Sequence, residues 1–411
     1  MVLKLGRLFA ARKARDRAPA PALLRVPLDL SDPAFVQDPY PSYAWLRTHC
    51  PVAEVQGGGF LLSRHADIKA AFTDKRLSNA PSRFSTLAPR NAGKYVAADL
   101  ASRIPPFQDG DAHRLSRQMI SRAFYNAFAG FDRMLEELAQ KHVHHLSPQS
   151  DLIADGAMPF ALGSMCRFCG ITASTEDMKP LTQAFFHLFA PLRDAQAFES
   201  VNDALGTFRQ VIAASLDRGP PQGSLLAELH IFAEGQAGLD RADVVDACLL
   251  VFADGVENVE AAVASAFLVF AQADLLPGLR SGAVDLDAAI AEAMRLQTPA
   301  QFIPRVAAES FDIHGVQIGK DMPVFLALAS GNRDADVFDT PDSFDAGRDL
   351  SDVLTFGQGR HRCIGEPLAK AQVAALLKAV LAAGFRADLT QPVGYHSRIG
   401  HRWPTSVILT T

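Results

Sequence analysis

Cysteine is scarce in this chain. Cys50, Cys166, Cys169, Cys248 and Cys363 are the only five in 411 residues, an odd number and thinly scattered. No disulfide framework follows from them, and without a secretory signal pattern they read as reduced thiols of a cytoplasmic protein. A positive excess is missing too. With a formal net charge of -5, no global basic field would draw phosphate, which excludes a general nucleic-acid binder. No apolar run approaches the roughly 20 residues needed to span a bilayer, so no transmembrane anchor is expected. Repeats and low-complexity linkers are absent, and no composition shift divides the chain. Tyrosine and tryptophan number only 5 and 2 against 27 phenylalanines, so most aromatic surface has no polar handle.

What is present suits a globular protein. The chain is 48% hydrophobic and 21% charged, with ample material for a core. Residues 1–25 carry Lys4, Arg7, Arg12, Lys13, Arg15 and Arg17 ahead of a Pro/Ala stretch, and read as a flexible, solvated basic tail. The alternative is contact with an anionic membrane surface. Residues 26–411 are expected to form one domain. From 36 to 72 the pattern predicts helix, short strand, glycine turn, short strand and helix, and a second β-like patch spans 310–328. Most of the remainder has helical periodicity. Residues 242–274 are apolar nearly all round, which marks a helix buried in a large core. At 1.5 Å per residue it would run roughly 50 Å, enough to cross the molecule. The expected fold class is mainly α with a small β portion.

Polar residues interrupt that buried helix at Asp254, Gly255, Glu257 and Asn258. Asp254 and Asn258 share a face, with Glu257 beside Asp254. Two carboxylates and an amide in an apolar helix are costly unless partnered. They are either proton-handling groups beside a site or a structural network. Gly255 permits close approach to the backbone or a bulge. Further on, "TFGQGRHRCIGEPLAK" at 355–370 places Cys363 just before an apolar helical pattern that Gly384 can end. A thiol at a helix N-terminus feels the positive dipole end, which favours thiolate. Gly357 and Gly359 let the loop turn sharply and bring N–H groups near the sulfur. An inert core cysteine would fit these facts as well. The longer pattern, Phe356-Gly-x-Gly-x-His361-x-Cys363-x-Gly365, is far more specific.

That pattern resembles the haem-ligand loop of the cytochrome P450 superfamily, the haem-thiolate monooxygenases. "EAMR" matches the family's E-x-x-R, "NRDADVF" at 332–338 and "FDAGR" at 344–348 match the stretch before the haem loop, and "HRLSR" at 113–117 and "DPYPSYAWLR" at 38–47 match earlier signatures. The resemblance implies a P450 fold with the long central helix over haem b, and dioxygen as co-substrate. Cys363 would be the axial iron ligand. His113, Arg117, Arg305 and His361 would hold the propionates, Phe356 would shield the sulfur, and Gly365 would complete the cofactor loop. Glu292, Arg295 and Arg348 would form a buried ion network bracing that loop. The central helix of the family usually carries Ala/Gly-Gly-x-Asp/Glu-Thr; here Asn258 stands in the threonine position and Asp254 in that of a small residue. Asn can donate and accept hydrogen bonds but makes a poor proton relay.

The resemblance also implies a bacterial-type soluble enzyme of secondary metabolism, fed electrons from NAD(P)H through a ferredoxin reductase and a ferredoxin. Arg360, Arg362 and Arg114 would offer the ferredoxin a basic patch; otherwise they meet propionates or solvent. By the same analogy the substrate pocket would include Phe107, Phe185, Phe186, Leu250, Ala300, Phe302 and Ile303, suiting an apolar terpenoid, acyl or polyketide-like substrate. Cys166 and Cys169, a lone C-x-x-C, read as helix-packed thiols. The leading expectation is hydroxylation or epoxidation. Peroxide-driven oxidation, oxidative coupling or desaturation is the alternative that Asn258 motivates, and a non-catalytic haem-binding partner protein is the third.

Overall fold

The computed structural model describes residues 27–83, 85–189 and 195–411. The basic tail therefore lies outside the described residues. The central element is the helix Arg241–Gln272, 32 residues long and so about 48 Å. It starts where a capping box requires it: the Asp240 side chain accepts from the Asp243 N–H, and the Asp243 side chain accepts from the Asp240 N–H. Its apolar residues are buried on every side because other helices surround it, among them Met158–Cys169, Thr175–Phe185, Ala195–Asp217, Leu225–Glu234, Leu286–Leu296 and Glu366–Ala382. This is the buried helix the sequence predicts, with ends displaced by one or two residues.

The β portion is small. β1 (Val52–Glu54), β2 (Phe60–Leu62), β3 (Leu77–Ser78), β4 (Ile303–Ala307) and β7 (Pro323–Leu326) make one sheet in the order β1-β2-β7-β4-β3. All its pairs are antiparallel except β2 with β7. β5 (Phe311–Ile313) and β6 (Val316–Ile318) form a hairpin, and β8 (Arg386–Ala387) pairs with β9 (Leu409–Thr410). The turn from β1 to β2 uses Gly59 at φ +105, where a Cβ would meet the Pro323 carbonyl oxygen at 2.5 Å. Only glycine satisfies both the dihedral and the approach of β7. The helix–strand–strand–helix reading of 36–72 and the β reading of 310–328 match these elements. β3, β4, β8 and β9 escaped it, being too short or too irregular to alternate clearly.

Two apolar clusters result, one among the helices and one between the sheet and the N-terminal helix Tyr40–His49. The loop holding Cys363 runs between them into the helix Glu366–Ala382. Cys166 and Cys169 both sit on the helix Met158–Cys169. Cys169 is buried beside Cys248 of the central helix, and burial pushes the Cys166 thiol up to about 11. These are packed thiols, as the sequence predicts, and no cluster of three or more metal-ligating groups occurs among the described residues.

Candidate active site

The cysteine loop is shaped by its own backbone. Gly357 and Gly359 adopt φ +66 and +71, the Gly357 N–H donates to Leu354 O, and the Cys363 N–H donates to Phe356 O at 2.9 Å. The chain thus folds back on itself and presents the sulfur, with the Gly365 N–H directed at it. Cys363 has accessible surface although protein encloses it, so that surface faces an internal cavity. In the protein alone, burial above all, and then the charge of Asp254, push its thiol up to about 11. Arg117 lies near enough to favour the anionic form.

Basic groups converge beside it. The rings of His113 and His361 stand 4.0 Å apart between centroids. Arg360 and His361 approach the same oxygen of Asp109, at 3.5 and 3.7 Å, and Arg305 feels both Asp109 and Arg360. Burial, with the neighbouring cations, lowers His113 to about 4 and Arg305 to about 10. Burial opposes ionisation of Asp109, but His361, the Ser78 hydroxyl, the Asn79 N–H and Arg360 outweigh it and hold the carboxyl well below its ordinary value. One carboxylate thus serves four basic groups. Among the described residues, the buried Nε2 atoms of His113 and His361 have no hydrogen-bond partner, and the buried Arg305 has only the Pro304 carbonyl as acceptor. This donor set fits haem: two propionates would meet the surplus of basic donors, and the enclosed sulfur would meet iron.

A brace holds the loop. Glu292 and Arg295, both fully buried, form a two-pronged ion pair at 2.7 Å, and Arg348 donates to the same Glu292 oxygen at 3.0 Å. Arg295 also donates to the Asn332 and Pro341 carbonyls. Asn332 carries the brace onward, donating to Thr298 and Thr355 hydroxyls and accepting from the Leu354 N–H. Leu354 and Thr355 enter the cysteine loop directly. Glu292, Arg295 and Arg348 are therefore brought together, with Asn332 an additional member within the "NRDADVF" stretch.

Across the cavity lies the middle of the central helix. Asp254 has accessible surface though protein encloses it, and burial raises its carboxyl to about 7. Gly255 admits Met165, whose Sδ would lie 2.5 Å from an added Cβ. Its carbonyl accepts from Gln372 at 3.3 Å. Burial also raises Glu257 above its ordinary value, against the attraction of Arg398 at 2.5 Å. The remaining Glu257 oxygen and Asn258 Oδ1 are buried without partners among the described residues. Burial and then Glu257 raise Glu260, one turn on, to about 8. Arg398 and Glu260 were not apparent from sequence. Arg398 belongs to a C-terminal loop that also brings His401 and Trp403 against Phe186, at 5.5 and 5.0 Å between ring centroids.

The anticipated pocket residues divide between the two clusters. Phe107, Phe185, Phe186 and Leu250 pack with the helices, Phe302 and Ile303 with the sheet. Phe185 is wholly buried and so serves the core, and Phe302 packs edge-on to Phe325 at 5.3 Å. Phe107, Ala300 and Ile303 keep part of their surface. The arginines of the expected basic patch each have an acidic neighbour: Asp111 for Arg114, Asp109 for Arg360, Glu366 for Arg362.

Comparison with known proteins settles the family. Residues 286–392 match the family described as Cytochrome P450. Cytochrome P450 BJ-3 of Bradyrhizobium diazoefficiens is 30% identical over 387 residues, covering 86% of this chain and 89% of that protein. The chain belongs to the cytochrome P450 family. This P450 is also 28% identical to the 20-oxo-5-O-mycaminosyltylactone 23-monooxygenase of Streptomyces fradiae, over 84% of this chain and 82% of that one. Its fold superposes on the solved Bacillus subtilis bacillaene polyketide synthase P450, PksS, with a TM-score of 0.82 at 20% identity, covering 93% and 98% of the two chains. It is an oxidoreductase, a haem monooxygenase that uses dioxygen. No helix among the described residues is long and apolar enough to cross a membrane.

Proposed function

We propose that this P450, through the single domain 26–411, inserts one oxygen atom from dioxygen into an apolar small molecule by hydroxylation or epoxidation. Electrons would come from NAD(P)H through a ferredoxin reductase and a ferredoxin. The observation that carries the reading is the shared cavity: the Cys363 sulfur and the basic cluster on one side, the carboxylates of the central helix on the other. Cys363 would hold the haem iron, and His113, Arg305 and His361 the propionates, with Arg117 beside the sulfur. When bound, haem supplies the oxidising chemistry, in which two electrons and two protons divide dioxygen between product and water.

The chain's task is then to deliver protons and exclude stray water. Glu260 holds a proton near neutrality, Glu257 lies one turn away, and Asn258 is adjacent. The Arg398 contact fixes Glu257, leaving its second oxygen to pass a proton towards the cavity. Phe107, Leu250, Ala300 and Ile303 would give the substrate an apolar wall. A ferredoxin would meet Arg114, Arg360 and Arg362, although their acidic neighbours weaken the patch. Relatives named for monooxygenation support the reaction class. A second reading, peroxide-driven oxidation, coupling or desaturation, rests on Asn258, which lacks a relaying hydroxyl. Incubation with ferredoxin, reductase, NADPH and labelled dioxygen tests the choice. One labelled oxygen in the product is expected. Product only with added peroxide, or a product without label, favours the second reading.

A further inference from the structure

The acids around the central helix are nearly all balanced. Glu257 faces Arg398, Asp246 faces Arg209 and Arg103, and Glu292 faces Arg295 and Arg348. Asp254 is different. It makes no hydrogen bond or ion pair among the described residues, and no cation acts on it. The basic groups of the site are engaged elsewhere, His113, Arg305, His361 and Arg360 around Asp109 and Arg117 beside Cys363. Yet the Asp254 side chain has accessible surface although protein surrounds it, and its charge acts on the Cys363 thiol.

An ionised carboxylate enclosed by protein is costly unless something pairs with it. Ligand pockets fix orientation with a few polar groups set in apolar walls, and a cation against a carboxylate makes the stronger, charge-assisted kind of contact. We propose that Asp254 is a specificity-determining residue, selecting substrates that carry a protonated or quaternary amine and holding that nitrogen inside the cavity. The inference rests on reading the cavity as the substrate pocket of a haem monooxygenase. It adds a polar requirement to an otherwise apolar substrate.

The test uses the ferric holoprotein and the shift of its Soret band on titration with octanoylcholine, its neutral isostere 3,3-dimethylbutyl octanoate, and octanoate. A quaternary nitrogen has no lone pair, so it cannot itself bind iron. The choline ester should bind at least about tenfold more tightly than the neutral ester, the scale of one well-placed charge contact. Asp254→Asn keeps the volume and should bring that ratio within about twofold, while octanoate gains. Any other order of affinities in the native protein overturns the proposal. So does a preference that survives in Asp254→Asn, or a substitution that alters only the ligand-free spectrum, which would direct the carboxylate at the cofactor. A red-shifted Soret band of the reduced carbon monoxide complex in both proteins keeps the monooxygenase reading intact if the preference fails; its absence would count against that reading instead.

Discussion

Glu292→Ala should expose the energetic core of the brace. Glu292 and Arg295 are 0% exposed and the Arg348 side chain 7%, so removing the carboxylate strands two guanidiniums away from water. Breaking a buried pair from one side typically costs about 3–5 kcal/mol, because the remaining charge is uncompensated. At about 2.1 cal/mol/K per residue, unfolding 411 residues has an entropy of about 0.9 kcal/mol/K, so Tm should fall by about 3–6 °C. Thermal unfolding of the holoprotein reads this shift, and the ratio of haem absorbance to protein reads the loop, which Asn332 and Thr355 tie to the brace. Arg348→Ala alone should cost less, since Arg295 still pairs with Glu292. The double substitution should cost less than the sum, by about 1–2 kcal/mol, because Arg348 acts through the carboxylate already removed. A Tm change under about 1 °C with full haem content, or strict additivity, would refute this account of the brace.

Asn258→Thr should keep haem binding and change the fraction of electrons that reach product, read as product formed per NADPH consumed; an unchanged ratio and product profile remove any special role for Asn258. Glu260→Gln should flatten the pH dependence of stability. The folded carboxyl sits at about 8, above its ordinary 4.5, so between those values the folded state holds a proton that the unfolded state has lost, and stability falls as pH rises. The substitution should therefore raise Tm at pH 8.5 relative to pH 5, and equal effects at both would count against it. Arg114→Glu should slow ferredoxin association at low salt and matter little at high salt; an unchanged rate at low salt eliminates Arg114 from the docking face.

Much of the site was legible because its signals are local. The cysteine loop compresses two positive-φ glycines, a histidine and the thiol into ten residues, and Glu292 and Arg295 lie three apart on one helix. The central helix announced itself through apolar residues on all faces, and its polar interruption pointed to the same cavity. What was not legible depends on partners distant in sequence. Arg398 meets Glu257 across 141 residues, and nothing in "HSRIGHRWPT" requires that meeting. Asp109 carries no signal of its own in the sequence, and only the fold sets His361 and Arg360 against it. Phe185 is apolar like any pocket wall, and only packing shows that it is wholly buried in the core. The arginine patch followed from the expected ferredoxin partner, and its acidic neighbours at 109, 111 and 366 became visible as pairs only in three dimensions.

The central claim is that Cys363 is the thiolate ligand of a bound haem. The most direct test is the carbon monoxide difference spectrum of the reduced, purified protein, compared with that of Cys363→Ala. The account predicts a strongly red-shifted Soret band in the native protein and its loss in the variant. Bound haem without that band, or a band that survives the loss of Cys363, would contradict it.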